Sequence, residues 1–584
     1  MKFVTTIQVL FFACYLFLNV TVAQTYPCEK PKSLNKSLGT VSSKLLNINN
    51  VSTWFHNDSQ SDIGPTGQDG FEFPKGSGKT TVFQSGLLWG AKVNNMILVG
   101  GSVYRSGMTP GRIFKDGSAE NPSASNVRVY RVRPDYKTNG LLTEQSLGEG
   151  TVEEIRAQYE KDWNEWPVSD GAPFIDKNGN GIYEPTIDIP GYENADQTLW
   201  HVANDQNAIA VNYFIGSQPI GVEEQVTAWA YKSNNDYLNN TIFRKYKLIN
   251  KSNNTFTNMY VCLFSDIDLG ATTENYAADL CGSDSSLNLG YNYYAANHVN
   301  AQYGTNPPSV GFVLLQGPMI SGSIVDQAMF DGRKISGKLN LQMTAFFHFY
   351  CGDTSYVCPQ QGNYSEGTLA WYNYFQGMQT TRHTTQLFKL PDQLGGTVTK
   401  YTLSGDPLTG SGWVDGVYHH EGDRYINIVS GPFDMAPGAT QEVVYAEVGA
   451  QGQDRSDAVK VLKEYAASLA LDYKDSLYLH QITTDVEETR SVPVPTQFSL
   501  HQNYPNPFNP STTISYDLPT AGFVSLKIYD FLGREITTLV NEYQQAGNYH
   551  KTFSTSELNL SSGVYFYRLS SNDFLQIKKM LLIK

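Results

Sequence analysis

Cysteine is scarce: six residues in a chain of 584, none of them in a CxxC pair. Structural zinc sites are built from such pairs, so the spacing argues against one. Histidine is nearly as rare, with 10 residues, and no G-x-S-x-G turn occurs. Neither the base nor the nucleophile of a hydrolase triad can be nominated. Positive charge is in deficit: 42 Lys and Arg stand against 56 Asp and Glu, a net charge of −14. A nucleic-acid binder needs a basic face to engage phosphates, and this balance rules against that class. Long apolar runs are missing after the first two dozen residues, so no later segment reads as a membrane span.

What is present points outward from the cell. Aromatic residues make up 13% of the chain, with 37 Tyr and 50 Gly, against 17% charged residues. That balance suits a β-rich extracellular protein better than a helical cytosolic enzyme. The expected fold class is mainly β: a large β-sandwich-type body with a few short helices, and a small immunoglobulin-like β-sandwich at the C-terminus. The opening MKFVTTIQVLFFACYLFLNVTVAQ has one Lys, an apolar stretch from about Val9 to Val20 and a small-residue exit at Ala23. This is the order of a secretory signal peptide over residues 1–23. No small-residue lipobox precedes Cys14 or Cys28, which argues against a lipoprotein. Without Lys2 the basic count is 41 and the net charge −15. An exported compartment permits disulfides, and the spacings make Cys351–Cys358 and Cys262–Cys281 the candidate pairs, with Cys28 left over. Buried free thiols are the alternative.

The body, 24–484, shows no internal repeat and divides only softly, near 150–220. Strand-like runs occur at 81–88, 95–99, 127–132, 224–231, 241–250 and 258–264. The last two are joined by KSNNTFT, polar enough for a hairpin loop. Thr151 followed by Glu154 starts a capped helix that stops at Pro167, and 454–471 has amphipathic spacing. The charged, proline-bearing stretch 485–496 reads as a linker.

Chemistry is concentrated in one loop, DKNGNGIYEPTID. Asp176, Asn178 and Asn180 place side-chain oxygens at positions one, three and five, Gly181 permits the sharp turn, and Ile182 offers a backbone carbonyl. Glu184 and Asp188 add carboxylates, although position twelve itself is Ile187 and departs from an EF-hand. The loop resembles the structural calcium loops of thrombospondin type 3 repeats; the alternative is a solvated Asn/Gly turn. A weaker oxygen cluster, Asp266 and Asp268 in SDIDLG, suits a second cation or the paired carboxylates of a glycosidase. Two apparent enzyme motifs fail. KGSGKTT has Phe73 where a P-loop needs Gly, and VYHHEGDRY spaces His419, His420, Glu421 and Asp423 unlike a zinc-protease helix. The aromatic runs YNYYAAN (291–297) and WYNYF (371–375) are sugar-stacking candidates, with core filling as the simpler reading.

From Gln497 onward the pattern tightens. Six short strand candidates fall at 512–518, 523–529, 535–540, 547–553, 563–569 and 574–583, separated by Gly-bearing turns. Seven basic against six acidic residues give this stretch a net charge of +1, so the acidity lies upstream. The motifs NYPNPFNPSTTISYDLP, IYDFLGREI, LSSGVYFYRL and the ending KKMLLIK resemble the type A C-terminal sorting domain of the bacterial type IX secretion system, with the flagellar hook-cap immunoglobulin-like domain a relative in pattern. The matching positions are Tyr504, Pro505, Asn506, Pro507 and Phe508, then Asp530, Gly533 and Arg534, then Gly563 and Tyr565, then Lys578, Lys579 and Lys584. The resemblance implies transfer across the inner membrane by the signal peptide and recognition by the outer-membrane translocon. It also implies removal of the module by a sortase-like protease, leaving the body on surface lipopolysaccharide or released. The expected role is that of an exported or cell-surface protein with a calcium-stabilised, non-catalytic body and no transmembrane segment once the signal is removed. An exported glycosidase or peptidase, or a glycan-binding adhesin, is the alternative.

Overall fold

The computed structural model describes residues 41–474 and 497–583, outside 105, 139–148, 270–277, 296–297, 325, 351–355, 357, 360–361, 381–384, 545–546, 556–557, 559 and 572–573. The signal peptide, the linker, Cys14, Cys28, Cys351 and Lys584 lie outside the described residues. Strands take 45% of the described residues and helices 13%, the mainly β composition expected. The chain divides into two compact units, Met1–Thr484 and Asp485–Lys584.

Two large antiparallel sheets form the core of the body, with small two-stranded sheets around them. Eight strands of the larger sheet pair in the order Asp279–Asp284, Leu289–Tyr294, Ser309–Gln316, Thr440–Ala450, Thr241–Asn250, Val222–Ala230, Gln197–Asn204, Thr109–Pro110; Tyr130–Val132 also joins Gln197–Asn204. The smaller sheet runs Ala345–Tyr350, Arg424–Met435, Phe256–Asp266, Gln84–Val93, Met96–Gly101. Val222–Ala230 is buried at every position rather than at alternate ones, because both faces of its sheet are covered. The helix Arg455–Lys474 packs against Ser309–Gln316 and Thr440–Ala450 of the larger sheet. The short helix Leu369–Phe375 covers the smaller one, with Tyr374 stacked on Phe347 at 4.9 Å. The runs WYNYF and YNYYAAN are therefore core: Trp371, Tyr372, Tyr374 and Phe375 are buried, as are Tyr291, Tyr293 and Tyr294. They form no exposed sugar platform.

Local signals hold where they are strong. The helix Val152–Asn164 begins with both arms of the capping box: Glu154 N donates to Thr151 Oγ1 at 3.2 Å and Thr151 N to Glu154 Oε2 at 2.8 Å. The hairpin read at KSNNTFT is corrected. Thr241–Asn250 and Phe256–Asp266 belong to different sheets, so the polar connection crosses from one layer to the other. Alternation reports a buried face and is silent about the neighbour that covers it.

The disulfide Cys262–Cys281 is corrected as well. Both are free thiols, buried on strands of opposite sheets, and burial pushes both pKa values well above the ordinary thiol range. Cys358 is free too.

The second unit is a small sandwich. Ser499–Leu500, Ser511–Leu518 and Gly547–Ser554 form one sheet; Glu535–Gln544, Gly522–Tyr529, Gly563–Ser571 and Phe574–Leu582 form the other. The inward sets Ile514, Tyr516, Leu518 and Val524, Leu526, Ile528 are all 0% exposed, as their alternation requires.

Candidate functional site

Strand register builds the first candidate. Phe256–Asp266 and Arg424–Met435 are antiparallel neighbours with Asp266 opposite Tyr425. The end of one strand and the start of the other therefore bring Asp266, Asp268 and Asp423 together, with one ligand oxygen from each within 4.8 Å of the others. Asp266 and Asp268 are buried and Asp423 is half-buried. Two tyrosines wall the cluster: Tyr104 Oη donates to Asp266 Oδ2 and Tyr425 Oη to Asp423 Oδ2, each at 2.8 Å. Their rings meet edge to face at 5.8 Å, and Phe264 stacks on Tyr425 at 6.0 Å.

Three carboxylates in one sheltered place repel one another, and the repulsion is relieved by protons or by a cation. The donors are all hard oxygens, which suits Ca²⁺ rather than zinc. Oxygens on opposite sides of a Ca²⁺ ion stand about 5 Å apart, given bond lengths of about 2.3–2.6 Å. All three can reach one such ion. The residues fit the group, and Asp266 and Asp268 were legible as a pair. Asp423 was not grouped with them, because 155 residues of chain separate it from Asp268.

The loop Asp176–Asp188 is arranged differently. Asp176 accepts from the backbone N–H groups of Gly181 (2.6 Å), Gly179 (2.7 Å) and Asn180 (3.2 Å), and these hold its carboxyl below the ordinary range, Gly181 foremost. Asn178 and Asn180 donate their side-chain amides to Glu184 Oε2 at 2.7 and 2.8 Å. Asn180 Oδ1 accepts from Ile182 N at 2.7 Å. The buried Asp188 staples the two ends of the loop, accepting from Lys177 N at 2.9 Å and Glu184 N at 2.7 Å. Asp188 is thus an anchor, occupied by backbone donors. Among the described residues, the carboxylates of this loop do not converge as Asp266, Asp268 and Asp423 do.

In the small sandwich the proline-rich stretch covers an edge. Phe574–Leu582 is the last strand of its sheet, with one side left unpaired by the other strands. Asn506 Oδ1 accepts from Leu581 N at 2.8 Å, Phe508 N donates to Leu581 O at 2.9 Å, and Ile583 N donates to Phe508 O at 3.0 Å. Phe508 alone among residues 504–508 is buried, at 2% exposure, and drops into the core. Asn503, which motif reading passed over, is the hub: it donates to Pro505 O (3.1 Å) and Thr512 Oγ1 (2.9 Å), while its own N–H donates to Tyr567 Oη at 2.8 Å. Covering an edge with proline-bearing chain blocks unwanted strand pairing.

Two further motif sites are turns and edges. Asp530 Oδ1 accepts from Leu532 N and Arg534 N, both at 2.9 Å, and Oδ2 from Arg534 Nε at 2.7 Å. Gly533 takes φ 79°, the left-handed value this turn demands. The locked turn lifts Phe531 and Leu532 into solvent, 71% and 63% exposed. Tyr565 Oη donates to Ser561 O at 2.7 Å beside Gly563, and Lys578 and Lys579 lie on the last strand.

Residues 502–584 match the family described as the secretion system C-terminal sorting domain. This module belongs to type IX secretion, and it directs export to the cell surface or extracellular space and interaction with that machinery. No curated protein matches the chain. Among solved structures, a polysaccharide lyase aligns at 7% identity over 62% of this chain and 34% of its own, with a TM-score of 0.19. The alignment thus spans about a third of that protein, in a superposition too poor to define a common fold. No helix among the described residues is long and apolar enough to cross a membrane.

Proposed function

We propose that this is a type IX secretion cargo whose acidic body is a calcium-stabilised, non-catalytic surface or secreted protein. The observation that carries the reading is the convergence of Asp266, Asp268 and Asp423 at the adjoining ends of two core strands. An ion there would tie the strand ends that the carboxylates otherwise push apart. Asp176, Asn178, Asn180, Glu184 and the Ile182 carbonyl would hold a second, more exposed ion, with Asp188 anchoring the loop.

The glycosidase alternative is less well supported. Catalytic carboxyl pairs stand about 5–5.5 Å apart in retaining enzymes and about 6.5–9.5 Å in inverting ones. Asp266 and Asp268 are both buried, at 0% and 2% exposure, which leaves no access for a sugar between them. On this reading the translocon receives the small sandwich, a sortase-like protease cuts near 486–497, and the body is left on lipopolysaccharide or released. The projecting Phe531 and Leu532 are a natural contact for the machinery. Deleting residues 497–584 in the native host should leave the body in the periplasm, seen by fractionation and protease shaving of intact cells. Undiminished surface display would overturn the export part of the proposal.

A further inference from the structure

The loop that supplies Asp423 also borders a cavity, and we infer that this cavity binds a sugar unit carrying a carboxylate or sulfate group. It encloses about 310 Å³ and is lined by Tyr356, Trp413, Tyr418, His419, Lys389 and Gln393, with Pro391 and Val417. That volume is at the lower end of the range of small-ligand sites, about 300–1,000 Å³, and suits one sugar unit rather than a chain.

The walls are aromatic and built from three segments distant in sequence. Trp413 lies 6.1 Å from His419 and 6.4 Å from Tyr356, ring centre to ring centre, and Tyr356 meets His419 nearly at right angles at 6.1 Å. His348 stacks on Tyr356 at 4.5 Å from behind and fixes it. Aromatic faces receive the C–H face of a sugar ring, and donors around them receive its oxygens.

The polar lining selects charge. In a chain of net charge −14, no carboxylate among the described residues lines this cavity, while Lys389 and Gln393 bring N–H donors to it. Trp413 is 2% exposed and its indole N–H has no hydrogen-bond partner, a buried donor short of an acceptor. The neighbouring cavity across Val417 makes the contrast, for Asp415 and Glu421 line it. A neutral sugar would use the aromatic walls and neutral hydrogen bonds; an anionic one also engages Lys389 through a charge-assisted hydrogen bond.

The inference goes beyond the export and cation readings, and its test depends on neither. Isothermal calorimetry on the chain lacking residues 1–23 would use trigalacturonate, N-acetylglucosamine 6-sulfate, maltotriose and inorganic sulfate. Binding of trigalacturonate or of the sulfated sugar is expected, and which of them binds identifies the anion. Maltotriose and inorganic sulfate should bind at least about tenfold more weakly, the scale of one charged hydrogen bond. Lys389→Ala, at an exposed position, should weaken the anionic sugar about tenfold with unchanged melting temperature. Trp413→Phe keeps an aromatic ring but loses the indole N–H and part of the stacking face, and should weaken it too; Tyr418→Ala is the substitute should Trp413→Phe fail to fold. No binding by either anionic sugar, equal binding by maltotriose or free sulfate, or affinity unchanged in Lys389→Ala would overturn the inference.

Discussion

Glu224 faces the interior of the larger sheet at 0% exposure, where burial pushes its pKa up to about 8 against the opposing pull of the Ser59 hydroxyl. The unfolded chain releases that proton near the ordinary carboxyl value of about 4.3, so stability falls as pH rises from there to about 8 and then levels. His201 works in the opposite sense. Burial lowers its pKa to about 3, so stability is lost as pH falls from about 6.5 towards 3. Glu224→Gln should therefore raise the melting temperature at pH 9 by several degrees, an effect of a few kcal/mol at about 1.4 kcal/mol per pKa unit, and change little at pH 5. Equal shifts at both pH values would contradict the assignment. None of this was legible beforehand. Glu224 sits in a run read correctly as a strand, yet charge gives no sign of which face it takes. The polar stretch His56–Asp62 is buried throughout, which its composition does not announce. Arg244 explains part of it, reaching Asp62 at 2.6 Å and pairing with Glu447 between the sheets. Such partners are distant in sequence, and pairing is what allows charges inside.

Elements were most legible where local chemistry decides them. The capping box of Val152–Asn164, the turn Asp530–Arg534 and six of the seven strands of the small sandwich follow from spacing within a few residues of each other. What needed the structure was pairing across the chain, as with the strand crossover after Asn250 and the junction that brings Asp423 to Asp266. The edge clasp of the sorting module has a measurable consequence. Phe508→Ala removes a buried ring and should cost about 3–5 kcal/mol in that unit, seen as earlier unfolding in urea. By contrast, Phe531→Ser with Leu532→Ser alters only the exposed turn tip and should leave its stability within about 0.5 kcal/mol. If the tip contacts the machinery, that double variant reaches the periplasm folded and is not displayed; normal display would remove the tip from the account.

At the scale of the molecule, the two units each enclose a separate hydrophobic core, one of them running from Leu46 to Tyr473 and the other from Leu500 to Leu582. Two calorimetric transitions are expected, with Phe508→Ala moving only that of the smaller unit; a single transition shifted as a whole would contradict independent cores. The division of labour was visible in the charge, since acidity is confined to the body while the tail is near neutral. The cation claim bears on the body alone. Thermal unfolding of the chain lacking residues 1–23, in millimolar Ca²⁺ and in EDTA, tests it most directly. A ligand at a hundred times its Kd adds about 2.7 kcal/mol to the folded state. The body transition should therefore rise by several degrees in Ca²⁺, and the rise should shrink in Asp266→Asn with Asp423→Asn, whereas superimposable curves in Ca²⁺ and EDTA would contradict a calcium-stabilised body.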